Sequence, residues 1–470
     1  MYENIPASYP KEFFYNLSKL QGSMSKSQIK CIADNTNAQP STITNIRLPI
    51  GSLINLDSLA LWFTIDITGS NVTIPARYSS TFIRRLSITM NNVSVQIIQD
   101  YNFVYNCFAD LNNKDKTKGL AGEFLDNSII YGEGAGAATE VALTATNAML
   151  ASTTNQTNLK FCINNWMGLF GSASTKIINS DLTGECVISC EWAPNYEALA
   201  GTPESGATTY TSSDTYSVKD IYMTMEALSF SDPSYYNSIG NKDLMIGFTD
   251  YVVTKFAPVA KSSGINVTTY LNAGSVDSIY GTAFIQQSLP SELVAYGSNG
   301  DGASANVINW YKYLSDPVAY VNNNGSGGTS GDGFFNTKAM QRNLQHLATH
   351  QFFINNKALN YAPFGPEENF HNLLLTLGYE NTDASSNGFH SGMKSLKHFY
   401  KYYGLCAQSL ELIDKDSFYI SGLSSQGSSC AVNWVATFSG ASNTLQVTPV
   451  IIAKLSKILH VKPGRQIMIE

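Results

Sequence analysis

One stretch of this chain occurs twice, and the repetition limits what the chain can fold into. Phe352–Leu377 reads Phe-Phe-Ile-Asn-Asn-Lys-Ala-Leu-Asn-Tyr, then a Pro/Gly step, then Glu-Glu-Asn-Phe-His-Asn-Leu-Leu-Leu. About 265 residues earlier, Ser87–Leu111 runs Ile-Thr-Met-Asn-Asn-Val-Ser-Val-Gln-Ile, then Asp-Tyr-Asn-Phe-Val-Tyr-Asn-Cys-Phe. In both copies an apolar strand enters an Asn-Asn pair, a dipeptide that tolerates positive φ and turns a hairpin. A second strand follows, and an acidic residue opens a short amphipathic helix through Asn102-Phe103 or Asn369-Phe370. A carboxylate suits the positive end of that helix. The separation is far longer than a solenoid repeat, so it signals a duplicated domain.

A second landmark supports this. Cys186-Val-Ile-Ser-Cys-Glu-Trp192-Ala parallels Cys430-Ala-Val-Asn-Trp434-Val-Ala, each ahead of one last long strand, Tyr216–Phe230 and Asn443–Leu459. Aligning Trp192 with Trp434 requires an insertion in the first half, placed in the Gly/Ala/Thr/Asn-rich run Lys114–Gln156.

A chain of 470 residues suits two domains better than one core. Only 14% of residues are charged, whereas Tyr and Phe number 26 and 23, a composition that favours strands and turns over long helices. The net charge of −7 gives no basis for a nucleic-acid-binding surface. Seven cysteines without tight spacing do not form a disulfide framework. Cys186 and Cys190, four apart on one strand, stand roughly 13 Å from each other, too far to bridge. Sequons at Asn16, Asn71, Asn92, Asn155, Asn266 and Asn324 are expected to stay unmodified, since no signal peptide or membrane span is recognisable and synthesis in a reducing cytosol is the simplest expectation.

In chain order, residues 1–27 read as an aromatic arm with Tyr2, Tyr9, Phe13, Phe14 and Tyr15. Strands are expected at Gln28–Ala33, Ser41–Leu48, Leu59–Thr68, Leu159–Asn165, Thr175–Ile178, Glu185–Trp192 and Ser217–Met225. About eight strands without a blade period suit a jelly-roll sandwich. Asp232–Asp243 is a polar link. The second half restarts with Leu244–Phe256, Ile265–Asn272 and Val276–Gln287, and closes with Tyr403–Ile413, Phe418–Ser421, Cys430–Phe438 and Leu445–Leu455. Val307–Val321 is apolar and aromatic, Asn322–Gly333 and Asp383–Gly392 are loops, and Phe335–Thr349 could form a helix. The expected architecture is all-β: two tandem eight-stranded jelly rolls with short helices in the connections, at 28–232 and 243–459, followed by a tail at 460–470.

No constellation of chemical groups stands out. His346 and His350 have metal-ligand spacing on the expected helix, but Leu347 replaces the glutamate of a zinc protease and no third ligand appears. Gly325–Gly331 lacks the Lys-Ser/Thr of a phosphate loop, and no Gly-x-Ser-x-Gly elbow exists. Glu367-Glu368 and Asp214/Asp220 could be glycosidase carboxylates, although the place of Glu367-Glu368 favours helix capping. Trp192 and Trp434 read as core packing more than sugar platforms. Lys454, Lys457, Lys462 and Arg465 form the one basic cluster, read as a solvated tail or an interface. The expectation is no enzyme activity, with no catalytic, cofactor or metal residues.

Taken together, tandem jelly rolls with the repeated strand–Asn-Asn–strand–helix unit, long polar insertions and an aromatic arm resemble a double jelly-roll major capsid protein of the virophage, polinton-like and nucleocytoplasmic large DNA virus type. The Gly51–Leu59 entry to a strand is loosely similar to the smaller members. The resemblance implies a homotrimer with a pseudo-hexagonal outline in an icosahedral shell. Its implied partners are neighbouring capsomers, penton and minor capsid or cement proteins, with no sequence-specific nucleic acid and with room for an underlying membrane. It implies location in the virion after synthesis in the host cytoplasm. The competing expectation is a carbohydrate-binding or carbohydrate-cleaving β-sandwich.

Overall fold

Alternation of apolar and polar residues sets the architecture in the computed structural model. Cys186–Trp192 and Ile265–Leu271 turn every second side chain inward, the pattern of strands with one face on a core. The structure describes residues 24–68, 72–73, 79–109, 129–134, 137–142, 156–198, 200–201, 215–230, 243–285, 344, 346–377, 396, 399–400, 404–412, 420–425, 430–439 and 446–470.

The first half contributes β1 Met24–Ile32, β2 Ile43–Arg47, β3 Leu53–Thr68, β4 Ile83–Met90, β5 Val93–Ile98, β6 Gln156–Ile163, β7 Cys186–Trp192 and β8 Thr215–Phe230. The second half contributes β9 Leu244–Lys255, β10 Ile265–Leu271, β11 Ser275–Ile285, β12 Leu347–Ile354, β13 Lys357–Ala358, β14 Cys406–Ser409, β15 Cys430–Phe438 and β16 Gln446–Lys462. A last strand, β17 Gln466–Ile469, folds back on β16. Helices α1 Tyr101–Ala109 and α2 Pro366–Leu377 follow β5 and β13.

In the first half, one sheet has the order β1-β8-β3-β6 and the other β2-β7-β4-β5. In the second half the orders are β9-β16-β11-β14 and β10-β15-β12-β13. Adding eight to each label of the first set gives the second. Each half is therefore an eight-stranded jelly roll, and the two have one topology. A ribbon of Ile129–Gly134 and Ala137–Ala142 extends the first sheet beyond β6. It lies within the segment read as the insertion.

Both Asn-Asn pairs turn hairpins as expected. Asn91 and Asn92 have φ of 46° and 63°, and Asn355 and Asn356 have 49° and 65°. Positive φ at both central residues gives the turn that matches the strands' right-handed twist.

The tryptophans, by contrast, are not equivalent. Measured from the turns, Met90 corresponds to Ile354, yet Met90 pairs with Cys186 and Ile354 with Val432. Trp434, opposite Phe352, thus occupies the place of Ile188, which lies opposite Ile88. Trp192 sits four residues further along. The strands match, but aligning the Cys and Trp residues slipped the register. A shift by an even number keeps both side chains on the inner face, so the slip was invisible to the hydrophobic pattern. Both indoles are fully buried. Trp192 packs edge-on to Phe63 at 5.1 Å and donates from Nε1 to Thr44 Oγ1 at 2.8 Å. Trp434 stacks on Phe352 at 6.2 Å. It lies so close to Gly281 that a Cβ there would fall 2.5 Å from Cε2.

Three further expectations need correction. β1 begins at Met24, inside the span read as an arm, because its full length pairs with β8. Residues 460–470 are not a tail: β16 runs to Lys462, and β17 returns along it through a turn at Gly464 (φ 79°). The described part of Phe335–Thr349 is not helical, since Leu347–Ile354 is a strand paired along β15, with Leu347, His350 and Phe352 buried. Of the strands expected at Tyr403–Ile413 and Phe418–Ser421, only Cys406–Ser409 forms one among the described residues. The aromatic residues of the arm, the link 231–242, Val307–Val321, Asn322–Gly333 and Asp383–Gly392 lie outside the described residues.

Candidate assembly interface

Helix α1 belongs to both barrels. Asp100, at φ 50°, turns the chain out of β5 and into the helix. Tyr101 and Tyr105 then fill the first core, while Phe103, Val104 and Cys107 are buried in the second. Asn102 is fully buried and donates from Nδ2 to Thr81 O at 3.4 Å on the first-barrel side. Across the junction Phe103 meets Phe284 at 5.7 Å, and Phe108 meets Tyr251 and Tyr280 at 5.4 and 4.9 Å. Those partners stand on β9 and β11, in the second barrel's β9-β16-β11 sheet. Lys255 closes the rim, with Nζ 2.6 Å from Asp100 Oδ1 and 5.9 Å from the Phe103 and Phe284 ring centres. Burial drives the Tyr251 phenol pKa up, so it stays neutral.

Beside this wedge lies a polar seam. Gln96 Nε2 donates to Asp250 Oδ1 at 2.7 Å and Thr249 O at 3.1 Å, and Gln96 Oε1 accepts from Leu169 N at 2.8 Å. Lys457 Nζ reaches Asp250 Oδ2 at 2.6 Å. Asp250 is 3% exposed, so loss of its partners would leave a buried carboxylate uncompensated. Ser172 and Ser174 accept from the backbone N–H groups of Thr249 and Gly247 at 2.8 and 3.0 Å. The turn after β16 completes the seam: Arg465 Nε donates to Asp181 O at 2.9 Å, and Arg465 O accepts from Asn91 Nδ2 at 2.8 Å. Leu459, Val461 and Ile467 are buried in the first core. Of the four basic residues at the C-terminus, Arg465 thus joins the halves of one chain directly and Lys457 does so through Asp250.

Helix α2 has α1's place in the second barrel. Asn369 is fully buried and donates to Tyr400 Oη and Leu405 O at 2.7 and 3.1 Å. Glu368 Oε2 accepts from Gly365 N at 2.8 Å, the capping role its position indicated. Phe370, Leu374 and Leu375 remain half-buried, and Glu367 and His371 are exposed. Phe370 packs on Phe399 at 5.0 Å.

The outer face of β1-β8-β3 carries an aromatic pair with a basic fringe. Trp62 and Tyr222 stack at 6.5 Å, with Lys30 Nζ 3.8 Å from the Tyr222 ring centre and Lys160 Nζ 5.5 Å from that of Trp62. Trp62 Nε1 donates to Thr224 Oγ1 at 3.1 Å. Below them Lys26, 2.6 Å away, and Asn55 hold the Glu226 carboxyl under its ordinary pKa. Neither this face nor the α1 wedge was found from sequence. The alternation of Ala60-Leu61-Trp62-Phe63-Thr64 shows that Trp62 points away from the core, but not what it faces.

The residues weighed for chemistry do not converge. His346 lies in a turn at φ 65°, and His350 is buried on β12 between Phe352 and Phe364, 5.7 and 6.0 Å away. Burial lowers the His350 pKa to about 4. Among the described residues no group of three or more His, Cys, Asp or Glu is placed to hold a metal. Asp220 sits at a bulge of β8 with φ 50° and is exposed, and Asp214 and Gly325–Gly331 lie outside the described residues. Cys186 and Cys190 are unbridged, their thiol pKa values pushed up to about 12 by burial. No described helix is long and apolar enough to cross a membrane. The carbohydrate reading asked for exposed aromatics beside paired carboxylates. Trp192 and Trp434 are core residues and Glu368 is a cap.

Strand order, helix placement and the shared wedge together define the double jelly-roll fold. Among solved structures, the chain is similar over 97% of its length to PBCV-1 VP54 fitted into a reconstruction of the virophage Sputnik, with 99% of that chain covered, 9% identity and a TM-score of 0.58. It is similar to the Faustovirus major capsid protein at 9% identity, with 96% of this chain and 92% of that chain covered and a TM-score of 0.54. For the mavirus major capsid protein the identity is 8%, the coverage 99% and 95%, and the TM-score 0.51. No family model and no curated protein matches the sequence.

Proposed function

We propose that this chain is a viral major capsid protein and not an enzyme, and that three copies form a pseudo-hexagonal capsomer of an icosahedral shell. The observation that carries the reading is the repeated strand order: one chain holds two barrels of the same topology, locked by a buried wedge. Each copy then supplies two similar wedges, three copies supply six, and six tile a hexagonal lattice. Closed cyclic symmetry leaves no open end. Full-length likeness in fold to major capsid proteins supports the same reading.

The proposal divides the chain into a first domain at 28–232 and a second at 243–459. It makes neighbouring capsomers, penton proteins and minor or cement proteins the partners, without sequence-specific nucleic acid and with room for an underlying membrane. It places the protein in the virion after synthesis in the host cytoplasm. Light scattering after size exclusion should report three chains per particle, and electron microscopy should show hexagonal outlines. A stable folded monomer would refute the reading.

A further inference from the structure

The junction inside the chain is a template for a junction between chains. In the chain, α1 lays Phe103 and Phe108 on the outer face of β9-β16-β11, and Lys255 pairs with Asp100 at the rim. The duplication supplies a second helix and a second face of the same kind. Helix α2 follows β13 as α1 follows β5, and both bury the Asn of an Asn-Phe pair in their own half. The sheet β1-β8-β3 is the counterpart of β9-β16-β11. Within one chain, α1 has used the second face. Among the described residues no helix lies on the first face in that way, and α2 packs Phe370 on Phe399 of its own half while Phe370 and Leu374 stay half-buried.

We infer that α2 of one copy docks on the outer face of β1-β8-β3 of the next copy, seating Phe370 and Leu374 against the Trp62–Tyr222 stack. This deepens the capsomer reading and rests on it. The chemistry is complementary on both sides. Counting from the Asn-Phe pair, Phe370 corresponds to Phe103 and Leu374 to Cys107, the residues α1 buries in its neighbour. Here they are half-buried. The receiving face offers two stacked aromatic rings, as the α1 site offers Tyr251, Tyr280 and Phe284. Asp100 at the start of α1 meets Lys255. The exposed Glu367 at the start of α2 would meet the exposed Lys30 and Lys160 beside the stack. The contact is heterologous, so it does not make a two-fold pair, and it closes at three copies when the step from barrel to barrel is the same between chains as within one.

The test uses the full chain, prepared in ordinary and 15N-labelled forms, unfolded and refolded together so that trimers contain both. A water-soluble carbodiimide joins carboxylates to lysines in direct contact. Mass spectrometry should find Glu367 joined to Lys30 or Lys160 in isotopically mixed pairs. Separately, Tyr222→Glu and Leu374→Glu should each raise the concentration at which the trimer dissociates about tenfold or more, since central apolar contacts dominate interfaces. Circular dichroism should show both variants folded. A trimer that gives no mixed Glu367–lysine pairs, and that both folded variants leave equally tight, overturns this contact while leaving the capsomer reading intact. An unmutated chain that stays monomeric overturns both.

Discussion

Lys457 Nζ lies 2.6 Å from Asp250 Oδ2, and Asp250 Oδ1 lies 2.7 Å from Gln96 Nε2, so one buried carboxylate joins a strand of the second barrel to a strand of the first. Asp250→Ala would strand the half-buried Lys457 ammonium and leave the buried Gln96 amide without its carboxylate partner. The expected loss is about 2–4 kcal/mol, the cost of breaking a buried pair from one side. Urea unfolding should show it as a lower midpoint with an unchanged slope. A shift equivalent to under ~0.5 kcal/mol would mean the seam is not holding the barrels.

The Asn355-Asn356 turn gives a cleaner test of local geometry, because both residues are exposed. Asn356 has φ 65°. Asn356→Gly should change stability by no more than about 0.5 kcal/mol. Asn356→Val should cost about 1–2 kcal/mol, since a β-branched residue is strained at that φ. Equal stability of the two variants would contradict the turn assignment.

Gly281 and Trp434 should behave as a unit. Gly281→Ala places a methyl where the indole lies and is expected to cost about 2–3 kcal/mol by overpacking. Trp434→Leu opens a cavity and should cost about 3 kcal/mol alone. The double variant should be less destabilised than the sum of the two, by about 1 kcal/mol or more. Simple additivity would show that the two sites do not touch.

His350 predicts acid sensitivity. Its pKa falls from an ordinary 6.5 to about 4 in the folded chain, because burial disfavours the imidazolium. Below pH 6.5 the unfolded chain takes up a proton that the folded chain refuses, so this contribution is complete above pH 6.5 and is lost as pH falls toward 4. Between pH 7 and pH 5 the loss from this residue is about 2 kcal/mol. His350→Phe, flanked by Phe352 and Phe364, should flatten that part of the stability–pH curve. An unchanged slope would assign the acid sensitivity elsewhere.

Much of the fold was legible because its signals are local. Asn91-Asn92 and Asn355-Asn356 announce hairpins through backbone sterics, and the inward alternation of Cys186–Trp192 and Cys430–Phe438 announces strands. What failed depended on partners distant in sequence. The C-terminal cluster stays undecided between a solvated tail and an interface because Asp250 and Asp181, which meet Lys457 and Arg465, are far away in the chain. The dual role of α1 was hidden for a similar reason. Tyr101 and Phe103 are equally apolar, and nothing local says that they enter different cores. The Trp192 to Trp434 alignment failed because similar residues outweighed register, which only the turns fix.

The wedge also sets a timetable for synthesis. Helix α1 leaves the ribosome with Phe103, Val104 and Cys107 facing a barrel whose β16 is still about 350 residues away. At ~5–20 residues/s, that apolar face waits on the order of half a minute, with no cover from its own chain. β1 waits similarly for β8, its partner from Met24–Phe230 to Ile32–Tyr222. Contacts this distant in sequence form slowly. A nascent chain of this design therefore carries a sticky helix for most of its translation and an open sheet edge for a little under half of it. A chaperone that holds α1 until the second barrel closes would raise the yield of assembled protein.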